Sequence, residues 1–378
     1  MDEGVVPAES KRRAGVFGAL VGLAAAGVAV GVAAERAIVT RARRARRTPA
    51  DPYADEPFGR LSYDEAFTLP VNGIDLHVEV VEAVDGIELD PDFAAAALAG
   101  AAAPSAPTVV FVHGFCLASG AFHFQRKELT RRGAWRSVYY DQPGHGRSGK
   151  LAAGEYELPA LGDALRAVIE ATTPEGPVVL VGHSMGGMTV MALAEGHPEF
   201  FAERVVGVVL ISTSAGLFKD GERSLPALLA RVSQPLLPLV NGATKVTGRM
   251  IDHARQAAGN LAWLLTRRYG FGSDNPSPAM VSYVERMNSA TQTETVARYV
   301  RTLYQHARHP VLEALRETPV LLICGDCDPI TPLTSTEDMK RLLPDAELVV
   351  IPKGGHMVLM ERAEAVNEVL VEFLEKLS

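Results

Sequence analysis

One short run of this sequence combines a nucleophilic side chain with the small neighbours that a strained turn requires. Gly182, Ser184 and Gly186 stand in the order Gly-His-Ser-Met-Gly, which fits the G-x-S-x-G pattern of a nucleophile elbow. Residues 177–181 before it are apolar, as in a buried parallel strand, and residues 185–195 after it favour a helix. The serine is therefore predicted where a strand turns sharply into a helix, whose N-terminus favours negative charge there.

A serine hydroxyl becomes an effective nucleophile only when a base removes its proton and a third group orients that base. Two later segments carry residues of these types at the ends of predicted strands. Residues 318–324 form an apolar run that leads to Asp326 and Asp328, and residues 348–352 form another that leads to His356. An acid and then a histidine at such strand ends are what the geometry of a catalytic relay needs.

Four motifs carry the functional signal, and they occur in a definite order along the chain. They are His113-Gly114-Phe115 after a strand, Asp-Gln-Pro-Gly-His-Gly-Arg-Ser at residues 141–148, the elbow, and the acid and histidine loops. Together they resemble the α/β-hydrolase superfamily, in which the chain order is serine, acid, histidine. The resemblance extends from about Phe67 to the C-terminus, and the elbow sequence is similar to that of monoacylglycerol lipases and many carboxylesterases.

The resemblance implies a role for each residue of a catalytic triad. It assigns the nucleophile to Ser184, the base to His356 and the acid to Asp328. Asp326 is the second choice for the acid. A serine at the elbow also separates this chain from epoxide hydrolases and haloalkane dehalogenases of the same fold, which use aspartate there. It points to an acyl-enzyme, and so to ester, thioester or amide chemistry.

The resemblance further implies an oxyanion hole made by the backbone N–H groups of Phe115 and Met185. Each such donor contributes roughly 3 kcal/mol to the stabilisation of a transition state. His113 is expected to support this loop rather than to transfer protons, and His183 is expected to pack beside the nucleophile. This chemistry requires no metal and no organic cofactor, so neither is expected.

The alternation of strands and helices predicts a mostly parallel sheet covered by helices on both faces, and the resemblance implies that this sheet has the α/β-hydrolase fold. The core is predicted at residues 62–212 and 311–378. Between them, residues 213–310 carry helical signals and no clear strand. The resemblance implies that this insertion, which follows the sixth strand, is a helical lid over the nucleophile. The apolar residues of this insertion favour an apolar substrate.

Several elements of the core are predicted individually. A β-hairpin is expected over residues 63–82 because Asn72-Gly73 is a strong turn signal. Buried strands are expected at Thr108–Val112, Ser137–Tyr140 and Val205–Ile211, and an amphipathic helix at Leu158–Ala171. Residues 83–107, rich in alanine and acidic residues, are interpreted as a surface insertion.

The amino-terminal 50 residues differ from the rest of the chain. Residues 14–34 are uncharged and apolar, near the roughly 20 residues that a membrane-spanning helix needs. Basic residues lie on both sides, and more of them follow it than precede it. An uncleaved anchor that leaves the catalytic domain in the cytoplasm is the preferred interpretation. A cleaved signal peptide of a secreted protein and a soluble surface helix stay open as alternatives, and residues 51–61 are expected to be a linker.

Composition narrows the classes of partner. The net charge is −8, and because residues 1–50 carry +5, the remaining residues carry −13. Such an acidic catalytic domain argues against nucleic acid as a partner. The three cysteines, Cys116, Cys324 and Cys327, are too few for a disulfide framework and are interpreted as small packing residues.

These features predict a serine hydrolase that cleaves carboxylic esters with an apolar acyl or alcohol part. The expected partner is a small apolar ester, together with a membrane if residues 14–34 insert. An acyltransferase, a thioesterase or a perhydrolase on the same triad remain open, because the elbow sequence does not separate them. A hydrolase-like ligand-binding protein is the alternative from another class. The oligomeric state is not predicted.

Overall fold

A sheet of eight strands forms the centre of the computed structural model, in the order β1-β2-β4-β3-β5-β6-β7-β8. The strands are β1 (Glu65–Val71), β2 (Ile74–Val81), β3 (Thr108–Val112), β4 (Ser137–Tyr140), β5 (Val178–His183), β6 (Val205–Ile211), β7 (Val320–Gly325) and β8 (Glu347–Ile351). β2 pairs antiparallel with β1 and β4, and the other pairings are parallel. This mostly parallel sheet confirms the predicted fold class.

The structure describes residues 51–84, 106–152, 156–216, 262–304, 306 and 308–378. Apart from 262–264, all of them belong to one compact unit, which comprises Asp51–Gly242 and Leu265–Ser378. The predicted anchor at residues 14–34, the apolar first part of the predicted lid and most of the predicted surface insertion lie outside the described residues.

The helices of this unit pack in groups on the sheet. They are α1 (His123–Arg132), α2 (Leu158–Thr172), α3 (Met185–Gly196), α4 (Pro198–Arg204), α5 (Pro278–Ala290), α6 (Thr293–Tyr304), α7 (Leu333–Leu342), α8 (Val358–Glu361) and α9 (Ala363–Glu375). α2 packs on α3, and α1 packs on α8 and α9. Every residue of β3 and β5 is buried, which requires that both faces of the sheet are covered at its centre.

The predicted hairpin is present as the pair β1 and β2. Its turn consists of Asn72 with φ 48° and Gly73 with φ 81°, between the paired residues Val71 and Ile74. Two positive φ angles in a two-residue loop are the geometry of a type I′ turn, which matches the twist of the flanking strands. The hairpin extends the parallel part of the sheet by two antiparallel strands.

The described residues between β6 and β7 contain helices and no strand, in keeping with the predicted helical insertion. Residues 262–270 are helical, followed by α5 and α6. Ser277 caps α5, because its hydroxyl accepts the N–H of Met280 at 3.2 Å. Tyr283 of α5 donates its hydroxyl to the carbonyl oxygen of Gly120 at 3.1 Å, which attaches this helix to the core.

Residues 51–61, predicted to be a linker, make defined contacts with α5. A single carboxylate oxygen of Asp51 accepts hydrogen bonds from the Ser277 hydroxyl and the Ala279 N–H, both at 3.0 Å. The ring of Phe58 stacks on that of Tyr283, with centroids 4.9 Å apart. This segment therefore caps and packs against α5 as well as leading into β1.

In the part of the chain that the structure describes, no helix combines the length and apolar character needed to cross a bilayer.

Candidate active site

Ser184 occupies the sharp turn between β5 and α3. Its backbone has φ 53° and ψ −119°, a conformation that non-glycine residues rarely adopt. The turn is held by hydrogen bonds on both sides: the Ser184 N–H donates to the carbonyl oxygen of Ile211 at 3.0 Å, and the Thr213 hydroxyl donates to the carbonyl oxygen of Ser184 at 2.6 Å. The strained geometry presents the serine side chain at the carboxyl edge of the sheet.

Glycines allow the elbow to pack backbone against backbone. A Cβ atom at Gly186 would clash with the carbonyl oxygen of Val112 in β3. A Cβ atom at Gly182 would lie 2.6 Å from the backbone nitrogen of Gly187, and one at Gly187 would lie 2.7 Å from the side chain of Thr213. Any larger residue would have to displace a neighbouring strand or the start of α3.

The structure brings Ser184, His356 and Asp328 together in one hydrogen-bonded relay. The Ser184 Oγ and the His356 Nε2 are 2.9 Å apart, and the His356 Nδ1 lies 2.9 Å from Oδ2 of Asp328. All three side chains are buried. Because Asp328 accepts a hydrogen bond from the Nδ1–H of His356, the His356 Nε2 is left as the acceptor for the serine hydroxyl.

The environment of Asp328 keeps this carboxylate ionised. Burial by itself would raise the pKa of Asp328, but the nearby His356 and hydrogen bonds from His356 and Thr331 hold it below its usual value. Its Oδ1 accepts the backbone N–H groups of Ile330 at 2.8 Å and Thr331 at 3.0 Å. Asp326, the second choice from the sequence, instead accepts the Lys353 N–H at 2.6 Å and does not contact His356.

The two predicted oxyanion donors belong to segments that lie next to Ser184. Met185 is the first residue of α3, so its N–H has no partner within the helix. Phe115 follows Gly114, at which a Cβ atom would lie 3.0 Å from the Cβ of Ser184. Among the described residues, no protein acceptor takes the N–H of Phe115 or of Met185.

His113 supports the loop that carries Phe115. Its Nδ1 lies 2.8 Å from the Gly114 carbonyl oxygen, and its Nε2 accepts the Gln142 N–H at 2.8 Å. A carbonyl can only accept, so the proton must reside on Nδ1. Burial also lowers the pKa of His113, which keeps the ring neutral. The Gln142 side chain completes the network, since its oxygen accepts the Thr189 hydroxyl at 2.9 Å.

The motif at residues 141–148 forms a turn around a buried carboxylate. Asp141 accepts the N–H of Ser119 at 2.8 Å and the N–H of Arg147 at 2.9 Å. Gly146 has φ 50°, and a Cβ atom there would clash with the Asp141 carboxylate. The motif thus fixes the loops next to the oxyanion site and contributes no group to the relay.

His183 contacts the backbone of the relay histidine. Its Nε2 lies 3.0 Å from the carbonyl oxygen of His356, so this nitrogen carries the proton and donates. Burial lowers the pKa of His183 to about 3, so the ring is neutral. The sequence predicted packing for His183, and the structure adds this hydrogen bond.

The cysteines lie near the relay but are weak nucleophiles. Burial raises the pKa of Cys116 to about 12 and that of Cys324 to about 11. A hydrogen bond with Asp326 is the main cause of the raised pKa of Cys327, which is exposed and unpaired. Across the described ranges, no three His, Cys, Asp or Glu side chains are grouped so that they could hold a metal ion.

A strained serine at a strand-to-helix turn, relayed through histidine to a buried aspartate, defines a site of the hydrolase class. The sequence model of the alpha/beta hydrolase fold family matches residues 107–363. The chain therefore belongs to the α/β-hydrolase family and is a hydrolase of that family.

Individual relatives resemble the chain over most of its length. The sn-1-specific diacylglycerol lipase ABHD11 of Mus musculus is 25% identical over 273 residues, which cover 71% of this chain and 81% of the mouse protein. A non-heme haloperoxidase of Rhodococcus erythropolis is 28% identical over 71% of this chain and 92% of its own length.

Among solved structures, the fold is similar to that of a thermophilic esterase from Thermogutta terrifontis. The TM-score is 0.61, the identity is 23%, and the alignment covers 83% of this chain and 99% of the esterase. At this identity the similarity shows a shared fold.

Proposed function

We propose that this protein is a serine esterase that cleaves carboxylic esters with an apolar acyl or alcohol part. The observation that carries the proposal is the unbroken relay from Ser184 through His356 to Asp328, in which each of the two hydrogen bonds is 2.9 Å long. Binding proteins need no such relay. A relative that is a diacylglycerol lipase supports an ester with an apolar part.

In the proposed reaction, the Ser184 hydroxyl attacks the ester carbonyl carbon while His356 Nε2 takes its proton. The carbonyl oxygen becomes an oxyanion that the N–H groups of Phe115 and Met185 stabilise. His356 then donates the proton to the departing alcohol oxygen, which leaves an acyl-enzyme on Ser184. Water attacks the carbonyl carbon of this acyl-enzyme while His356 takes its proton. His356 then returns that proton to the Ser184 oxygen as the acyl–oxygen bond breaks, and the carboxylic acid departs. Asp328 orients His356 and stabilises its cationic form throughout.

The activity is tested with a series of p-nitrophenyl esters from acetate to palmitate. We expect hydrolysis of some members, because the relay activates Ser184 towards any acyl group that the site admits. The chain length at which kcat/KM is highest measures the size of the acyl site. The matched control is the same protein after a fluorophosphonate has been attached to Ser184, with the modified residue verified by mass spectrometry.

The outcomes separate the related activities. Ester hydrolysis by protein whose Ser184 carries the fluorophosphonate would contradict the proposal. Folded wild-type protein without activity on any of the esters would contradict it as well. A primary alcohol can be added during turnover, and the ester formed with it compared with the free carboxylic acid. An excess of that ester would identify the enzyme as an acyltransferase. Slow turnover with tight retention of an ester would instead favour the ligand-binding function.

We also propose that residues 14–34 anchor the protein in a membrane with the hydrolase domain in the cytoplasm. The argument is the uncharged length of this segment and the larger positive charge that follows it. Full-length protein is expected in the membrane fraction of expressing cells, and the chain lacking residues 1–50 in the soluble fraction. Equal distribution of the two chains would contradict the anchor.

A further inference from the structure

Glu361 accepts hydrogen bonds from three backbone N–H groups, which belong to two separate segments of the chain. Its Oε2 accepts from Gly272 at 2.8 Å and from Gly355 at 2.9 Å, and its Oε1 accepts from Ser273 at 2.7 Å. Gly355 directly precedes His356. Hydrogen bonds to an ionised carboxylate are stronger than those between neutral groups. This side chain therefore joins the loop that carries His356 to residues 270–273. Residues 271–273 lie between the helical residues 262–270 and α5 of the insertion.

The two joined segments approach so closely that neither Gly272 nor Gly355 could be replaced by a residue with a side chain. A Cβ atom at Gly355 would clash with the backbone of Phe271 and Gly272, and one at Gly272 would lie 2.7 Å from the backbone of Gly354 and Gly355. The N–H of Met357 also donates to the carbonyl oxygen of Gly270 at 2.7 Å. The backbone on both sides of His356 is therefore packed against residues 270–272.

The loop that carries the acid is attached to the same place. The N–H of Cys327 donates to the carbonyl oxygen of Gly354 at 2.9 Å. A Cβ atom at Gly325 would clash with that same carbonyl group. Since Asp328 follows Cys327 directly, a displacement of Gly354 and Gly355 would disturb both the acid and the base of the relay.

We propose that Glu361 is a positioning residue for His356. It holds the histidine loop against residues 270–273 so that the imidazole stays within hydrogen-bond reach of both Ser184 and Asp328. The inference rests on the proposed esterase mechanism, in which His356 is the base. A misplacement of about 1 Å can lower a rate by about a hundredfold, so a residue that fixes the loop affects catalysis without touching the substrate.

Three variants of the full-length protein test this role. Glu361→Ala removes all three acceptor contacts and is expected to lower kcat by about tenfold to a hundredfold, with KM changed by less than about twofold. Glu361→Gln is expected to fall between this variant and the wild type. Its single amide oxygen can accept from Gly272 and Gly355 in place of Oε2, but its amino group then faces the Ser273 N–H. The control is Glu368→Gln, an exposed carboxylate on α9 that should behave as wild type.

A second measurement distinguishes an effect of Glu361 on the position of His356 from an effect on protein stability, and it does not depend on the choice of ester substrate. The rate at which a fluorophosphonate labels Ser184 depends on activation by His356 and needs no ester substrate. We expect labelling to slow in the same order as kcat, at a temperature where unfolding curves show every variant fully folded. This readout stands even if the wild type hydrolyses none of the esters.

Two results would overturn the proposal. One is a folded Glu361→Ala protein that retains kcat and labelling rate within about twofold of the wild type. The other is a loss that disappears on cooling to a temperature at which the variant is as fully folded as the wild type, since Glu361 would then act on stability alone.

Discussion

Replacement of Ser184 or His356 by alanine is expected to lower kcat for the best ester substrate by about a millionfold. Either change removes the attacking oxygen or the base that deprotonates it, and the remaining residues of the relay cannot act alone. The double variant is expected to be no slower than either single variant, because the relay acts as a unit. Steady-state kinetics with active-site titration would measure these rates.

The two aspartates of the acid loop provide the discriminating control. Asp328→Asn is expected to lower kcat by about ten-thousandfold, because an amide permits the wrong histidine tautomer and cannot stabilise the imidazolium. Asp326→Asn is expected to retain most of the activity, since its carboxylate contacts the Lys353 backbone instead of His356. A larger loss at Asp326 than at Asp328 would contradict the assignment of the acid.

The second large effect is expected from pH, and it acts on stability. Burial lowers the pKa of His145 and His183 to about 3 and that of His306 to about 4, against an ordinary value of 6.5. At pH 7.5, well above 6.5, all three are neutral in both the folded and unfolded states. Below pH 6.5 the unfolded chain binds protons that the folded protein does not, so the free energy of unfolding falls as the pH falls.

The expected size follows from the same values. Between pH 7.5 and 5 each histidine lowers the free energy of unfolding by about 2 kcal/mol, or about 6 kcal/mol for the three. This is comparable with the whole stability of many domains. Urea unfolding at pH 7.5 and at pH 5.0 would measure the difference. Carboxylates with lowered pKa values, such as Glu79 at about 2, weaken the fold only at lower pH.

His145→Asn is the matched variant for this measurement. The Nδ1 of His145 donates to the carbonyl oxygen of Pro143 at 3.0 Å, and an asparagine amide can make the same bond without titrating. The drop in stability between pH 7.5 and 5.0 should then be smaller by about 2 kcal/mol than in the wild type. Equal stability of the wild type at the two pH values would contradict the linkage.

Local sequence patterns were sufficient to predict much of the sheet. The predicted strands Thr108–Val112, Ser137–Tyr140 and Val205–Ile211 have the observed bounds. The strand before the elbow was predicted two residues too short at its end, because Gly182 and His183 were attributed to the turn and instead continue β5. Apolar runs mark buried strands well, whereas the residue at which pairing stops depends on neighbouring strands.

The residues that support the relay could not be predicted in the same way. Thr213 holds the elbow, Thr331 holds the acid and Glu361 holds the histidine loop. Thr213 and Glu361 act through hydrogen bonds with backbone groups, and the Thr331 hydroxyl donates to the Asp328 carboxylate. The residue type alone gives no signal for any of these contacts. The sequence motifs identified groups that are chemically reactive, and the contacts that orient them arise from the folded chain.

The segment at residues 51–61 illustrates a second limit. Its prolines and polar residues are typical of a linker, and no periodic pattern indicated a partner. The contacts of Asp51 with α5 and of Phe58 with Tyr283 bring together residues more than 200 positions apart in the sequence. Composition predicts what a segment can form by itself and carries no information on such distant contacts.

The glycine packing around the elbow restricts how descendants of this sequence can diverge. On α2, a Cβ atom at Gly162 would lie 2.9 Å from the backbone of α3, and Gly182, Gly186 and Gly187 are equally enclosed. Gly196, at the end of α3, has no atom near its open side. Substitution is therefore permitted at Gly196, the last residue of this helix. At Gly162, Gly182, Gly186 and Gly187 a side chain could be accepted in later sequences only if the neighbouring chain were rebuilt around it.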